Sequence, residues 1–113
     1  MSLFSSLFGE RMPQNTVIKL LSSEVFRTQV QGKKVQLVDV RTPREFKNGH
    51  IKNAINIDFF SRKFDSEFNK LNKDNAIYLY CRSGSRSRKT AKKLFNLGFT
   101  EIYDLEGGIL NYY

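Results

Sequence analysis

The chain contains one cysteine, one histidine and no tryptophan, and its acidic residues are in the minority. A single thiol excludes any disulfide within the chain. An unpaired cysteine that stays reactive suits a reducing compartment, so the expectation is a cytoplasmic protein. One cysteine and one histidine cannot form a zinc site without several well-placed carboxylates, and the residues call for neither a metal nor a cofactor. No apolar run approaches membrane-spanning length. The opening stretch, MSLFSSLFGERMPQ, has no basic start and its apolar part is interrupted by Ser5 and Ser6, which makes it a poor secretory signal.

Nineteen Lys and Arg against eleven Asp and Glu leave a formal net charge of +8. Such a surplus fits nucleic acid, an anionic membrane surface or small anionic substrates. Position separates these. Much of the positive charge falls between Arg82 and Lys93, around the cysteine, while zinc-knuckle spacings and an aromatic RNA-binding signature are missing. The expected partner is therefore a small anion, with no nucleic acid and no membrane. A chain of 113 residues makes one domain, which buries roughly two-thirds of its surface on folding. Residues 1–15 are expected to form an N-terminal appendage and residues 16–113 the domain.

Short apolar runs alternate with segments of helical period, the pattern of an α/β domain with a mainly parallel sheet. Strands are expected at Val17–Leu21, Val35–Val40, Ala54–Ile57, Ala76–Tyr80 and Glu101–Leu105. Between them, Ser22 or Ser23 caps a helix carrying Val25, Phe26 and Val30, and Gly32 ends it. Thr42, Pro43 and Glu45 form a capping box that opens a short helix. The spacing Phe60, Phe64, Phe68, Leu71 predicts a helix with an apolar aromatic stripe. Ala91, Leu94 and Phe95 mark the buried face of a longer helix, closed by Gly98 in a left-handed cap. Gly107 and Gly108 permit a tight turn into a final short helix bearing Ile109, Leu110 and Tyr112.

The fourth strand delivers Cys81 at its carboxyl end, where open parallel sheets bind ligands. After it come Arg82, Ser83, Gly84, Ser85, Arg86 and Ser87, a basic loop of small residues that opens a helix. Helix-start amides and guanidinium groups both favour a negatively charged sulfur. Ser83, Gly84 and Ser85 let the backbone curl around the sulfur with its amides inward, and they add hydroxyl donors. Cations at Arg86, Arg88 and Lys89 oppose the helix macrodipole, so something negative should compensate: a thiolate, a persulfide or a bound oxyanion. Lys89, Lys92 and Lys93 read as a solvated face. His50, in a turn beside Gly49, reads as structural, one ring nitrogen tying the turn to a backbone group. Asp39 and Arg41 read as an ion pair that keeps neighbouring loops in register.

Taken in order, Asp39-Val40-Arg41, Glu45-Phe46, Gly49-His50-Ile51, Ala54 to Ile57, Tyr80 to Ser87 and Leu105 to Gly108 resemble the single-domain rhodaneses, from about Thr16 to the C-terminus. The resemblance implies a rhodanese-like three-layer α/β fold, a five-stranded, mainly parallel sheet with helices on both faces. It also implies a sulfurtransferase without cofactor. Cys81 would take a sulfane sulfur from thiosulfate, or from a low-molecular-weight or protein persulfide, and pass it to a thiophilic acceptor such as cyanide or a thiol. The loop amides from Arg82 through Ser87 would hold the persulfide, and Arg82 and Arg86 would attract the anionic donor.

Two departures stand out. Tyr112 occupies the place of a tryptophan usual in the family, and the N-terminal appendage lies outside the pattern. Related phosphatases and arsenate reductases place their arginine six positions after the cysteine, whereas Arg86 follows Cys81 by five. The shorter loop suits sulfur rather than a tetrahedral oxyanion. A relay or partner-binding module that holds persulfide without turnover is the other alternative.

Overall fold

The computed structural model describes residues 11–113. Helix α1 (Gln14–Val17) leads into β1 (Ile18–Leu21), then α2 (Ser23–Val30), β2 (Gln36–Asp39), α3 (Pro43–Lys47) and β3 (Ile55–Asn56). Helix α4 (Phe64–Phe68), β4 (Ile77–Tyr80), α5 (Ser85–Leu97) and β5 (Ile102–Leu105) follow, and a 3-10 turn (Ile109–Asn111) ends the chain. The sheet order is β1-β5-β4-β2-β3, and every neighbouring pair is parallel. The α/β, three-layer expectation holds, and the sheet is wholly rather than mainly parallel.

Alternation along the strands divides the core into two layers. Ile77, Leu79, Cys81, Val38 and Ile102 point to one face, where Val17 of α1, Phe64 and Phe68 of α4, and Ala91 and Leu94 of α5 cover them. Leu37, Tyr78, Tyr80 and Leu105 point to the other, under Phe26 and Val30 of α2 with Ile51, Ala54 and Tyr112. Tyr112 closes edge-on against Phe26, ring centroids 6.3 Å apart, and fills apolar space on this face.

Local signals shape the elements as the residue types require. The Ser22 hydroxyl accepts from the Val25 N–H, and Thr42 with Glu45 completes a reciprocal capping box behind Pro43. Gly98 closes α5 at φ 102°, a conformation disfavoured for residues with a Cβ.

Three expectations are corrected. The first strand starts at Ile18, because Val17 ends the helical turn α1 and is buried in the core. Arg11 lies 4.0 Å over the Phe95 ring while donating to the Phe95 carbonyl. Of the expected appendage, residues 1–15, the first ten lie outside the described residues. The aromatic stripe starts at Phe64, not Phe60. Asp58 Oδ1 takes the Phe60 N–H and Ser61 Oγ takes the Lys63 N–H, so local turns replace the helix there and leave Phe60 exposed. Phe59 packs inward instead, against Phe64. Last, the C-terminal helix is a single 3-10 turn in which Leu110 is exposed, and Tyr112, just after it, is buried.

Candidate active site

Strands β2 and β4 are neighbours, yet α3 leads from β2 to β3 on one side and α5 leads from β4 to β5 on the other. Their carboxyl ends therefore open a crevice at the point where the connections diverge. Cys81 and Arg86 come from the β4 side, and Arg41, Thr42 and Glu45 from the β2 side. A Val40 N–H bond to the Tyr80 carbonyl, 3.0 Å, holds the two strand ends together.

The sulfur faces an inward amide. Gly84, at φ 114°, turns its N–H onto Cys81 Sγ at 3.0 Å. The loop's carbonyls are held on its opposite side by the C-terminal turn. Ile109 N–H donates to the Cys81 carbonyl at 2.9 Å and Leu110 N–H to the Arg82 carbonyl at 3.2 Å. Gly108 makes that clamp possible, since a Cβ there would lie 2.3 Å from the Arg82 carbonyl oxygen. The positive end of α5, thirteen residues long, adds its dipole to the same spot.

Cys81 is only 1% exposed, whereas Arg82, Ser83 and Ser85, which follow it in the loop, are exposed. Ser87 is buried, and its hydroxyl serves the backbone, donating to the Gly84 carbonyl at 3.3 Å.

Arg86 is the larger surprise. Its guanidinium grips Glu45 in a two-pronged fork, Nη1 to Oε1 at 2.8 Å and Nη2 to Oε2 at 3.0 Å. Glu45 Oε1 also accepts from the Thr42 N–H at 3.0 Å, so one carboxylate caps α3 and anchors the cysteine loop across the crevice. The Arg86 bonds hold the Glu45 carboxyl down at about 2, and burial opposes this only in part. Glu45 in turn raises Arg86 further above its ordinary range, against desolvation. Arg82 is exposed and makes no ion pair among the described residues.

The scaffold residues behave as the sequence suggests. Arg41 binds Asp39 at 2.7 Å and reaches the Gly49 carbonyl with the same nitrogen, fixing the turn after α3. His50 Nδ1 lies 2.8 Å from the Phe46 carbonyl and the ring stacks on Phe46 at 3.7 Å, away from Cys81. Among the described residues no three metal-ligating side chains converge. Two clefts, of about 780 and 510 Å³, open elsewhere: one beside Lys33, Gln36 and Glu101, the other beside Arg27, Ile51 and Tyr112. Neither is lined by Cys81.

A parallel sheet that presents one cysteine at a strand end, under the Gly84 amide and at a topological switch point, defines an α/β domain with a loop thiol. The chain belongs to the rhodanese-like domain family, whose model matches residues 22–113. It is 42% identical over 95 residues to the uncharacterized protein YqhL of Bacillus subtilis, a match spanning 84% of this chain and 72% of that one. A tRNA uridine(34) hydroxylase of Legionella pneumophila is 36% identical over 96 residues, but there the match covers 81% of this chain and only 38% of the relative. A rhodanese-like domain protein from Staphylococcus aureus has the same fold, with a TM-score of 0.72 and 30% identity over 84% of this chain and 91% of that one.

Proposed function

We propose that the protein is a sulfurtransferase in which Cys81 carries a transferable sulfur. The observation that supports this reading is the Gly84 N–H aimed at Sγ beneath the positive end of α5. An anionic sulfur and the outer sulfur of a persulfide both gain from a fixed donor that needs no reorganisation. In the first half-reaction the Cys81 thiolate attacks the outer sulfur of thiosulfate, forming the S–S bond of the persulfide and releasing sulfite. In the second, an acceptor thiolate or cyanide takes that outer sulfur and the Cys81 thiolate leaves. The attacking species in this step is the thiolate, which the Gly84 N–H and the positive end of α5 both favour.

Arg82, exposed at the loop rim, attracts the anionic donor; Arg86, committed to Glu45, holds the loop's shape. This revises the role expected of Arg86. Low-molecular-weight or protein persulfides are the other donors compatible with the site, and the recognised chemistry is a small sulfur anion rather than nucleic acid. The hydroxylase relatives are much longer than the stretch matched here, and their named activity belongs to those whole proteins.

Thiocyanate formation from thiosulfate and cyanide, assayed beside hydrolysis of an aryl phosphate, tests the reading. The expected result is thiocyanate from wild type, none from Cys81→Ser and no phosphate release. Phosphate release without thiocyanate would overturn it. A persulfide that discharges only to one protein acceptor would favour the relay.

A further inference from the structure

We propose that Asp104 is a positioning residue of the sulfur loop, acting through Ser87 and Gly84, and that its ionisation works against an anionic sulfur at Cys81; this rests on the reading of Cys81 as sulfur carrier. Asp104 lies on β5 in register with Leu79 of β4 and Leu20 of β1. By strand alternation its side chain shares the sheet face of Ile102, Leu79 and Cys81, under α5. It is 4% exposed, and its Oδ1 has no hydrogen-bond partner among the described residues. A buried carboxyl oxygen left unpartnered is costly, so natural structures keep one where it does something.

The connection to the sulfur is short. The Ser87 hydroxyl is within reach of the Asp104 carboxyl, it donates to the Gly84 carbonyl at 3.3 Å, and Gly84 N–H points at Cys81 Sγ at 3.0 Å. Ser87 has one hydroxyl proton to place. A neutral Asp104 donates its own proton to Ser87 Oγ and leaves the serine proton on Gly84. An ionised Asp104 can only accept, so it draws the serine proton away and Gly84 keeps just the Arg88 N–H at 3.0 Å. The ionised carboxylate also sets a negative charge on the face that bears the sulfur. Both effects have the same sign.

Desolvation pushes the Asp104 carboxyl up to about 6, with Ser87 and Arg88 pulling it back only in part. The change of state therefore falls close to neutrality. Among the elements packed against it, α5 supplies the Ser87 hydroxyl and the Arg88 guanidinium, while β1 and β4 supply the uncharged Leu20 and Leu79.

The test is the rate of Cys81 alkylation by iodoacetamide against pH in the full chain, for wild type, Asp104→Asn and Ser87→Ala. It needs no sulfur donor, so failure to form a persulfide and failure of this proposal are read separately. The expected ratio of Asp104→Asn to wild-type rates rises from about one near pH 5 to about three near pH 7.5. Ser87→Ala, which keeps the charge and breaks the relay, should be slower than wild type near pH 5 and approach it near pH 7.5. A ratio flat across this range overturns the proposal, and the Ser87→Ala curve decides it if Asp104→Asn does not fold.

Discussion

At the scale of single residues, charge placement separates two arginines that the sequence makes look equivalent. Arg82 and Arg86 flank one loop, but Arg86 is spent on Glu45 and Arg82 faces solvent. Arg82→Ala should therefore raise KM for thiosulfate about tenfold with kcat nearly unchanged, and leave use of an uncharged persulfide donor alone. Equal losses with both donors in steady-state kinetics would show that Arg82 does not act through charge. Glu45→Gln breaks the fork and weakens the cap of α3. Its side chain keeps about a quarter of its surface in solvent, so screening limits the cost to about 1–2 kcal/mol at neutral pH, read from urea unfolding. Because the folded Glu45 carboxyl sits at about 2, below its ordinary value, its contribution is present above pH 4.5 or so. It fades as pH falls toward 2, and there the variant and wild type should converge.

Elements show where the sequence is explicit and where it is mute. Thr42, Pro43 and Glu45 write their capping box in adjacent positions, and Gly98 stands where a helix must stop, so both were legible. Cys81 was legible too, because an apolar strand, a small-residue loop and a helix start are local features. The Glu45–Arg86 bond was not, since it joins residues 41 positions apart and Glu45 already had a sufficient local reason to be there. Asp104 was hidden for a similar reason: a polar residue in a short strand reads as solvent-facing until α5 covers it. Phe60 failed in the other direction, as Asp58 and Ser61 bound the backbone locally and broke a periodic stripe. Gly108 joins two elements, the C-terminal turn and the cysteine loop. Gly108→Ala should lower stability by about 3 kcal/mol or more, because φ 67° with ψ −168° is almost confined to glycine and the new methyl meets the Arg82 carbonyl. Thermal melts check the size. A variant as stable as wild type would show that the clamp is not required.

Over the whole molecule, two carboxyls give stability opposite pH dependences. Glu45 stabilises the fold more as pH rises from about 2 to 4.5. Asp104 does the reverse: its folded value of about 6 lies above the ordinary 3.8, so its favourable effect is complete below the ordinary value and is lost as pH rises through about 6. At neutral pH the buried, ionised Asp104 is a net liability. Asp104→Asn should raise unfolding free energy there by about 2–3 kcal/mol, and the gain should vanish near pH 4, as urea titrations at the two pH values would show. Loss of stability at both would mean that the carboxylate is needed for the fold itself. Among the described residues no helix is long and apolar enough to cross a membrane, and Cys81 and Arg82 lie at one end of the sheet, with Arg82 exposed.

The central claim is that the sulfur at position 81 accepts and holds a second sulfur atom. Mass spectrometry of the peptide containing Cys81, after incubation of the intact protein with thiosulfate or a persulfide donor, measures this most directly. The account requires a gain of one sulfur on that peptide, removed again by cyanide or a thiol and missing in Cys81→Ser. An unmodified peptide with every sulfane donor supplied would contradict it.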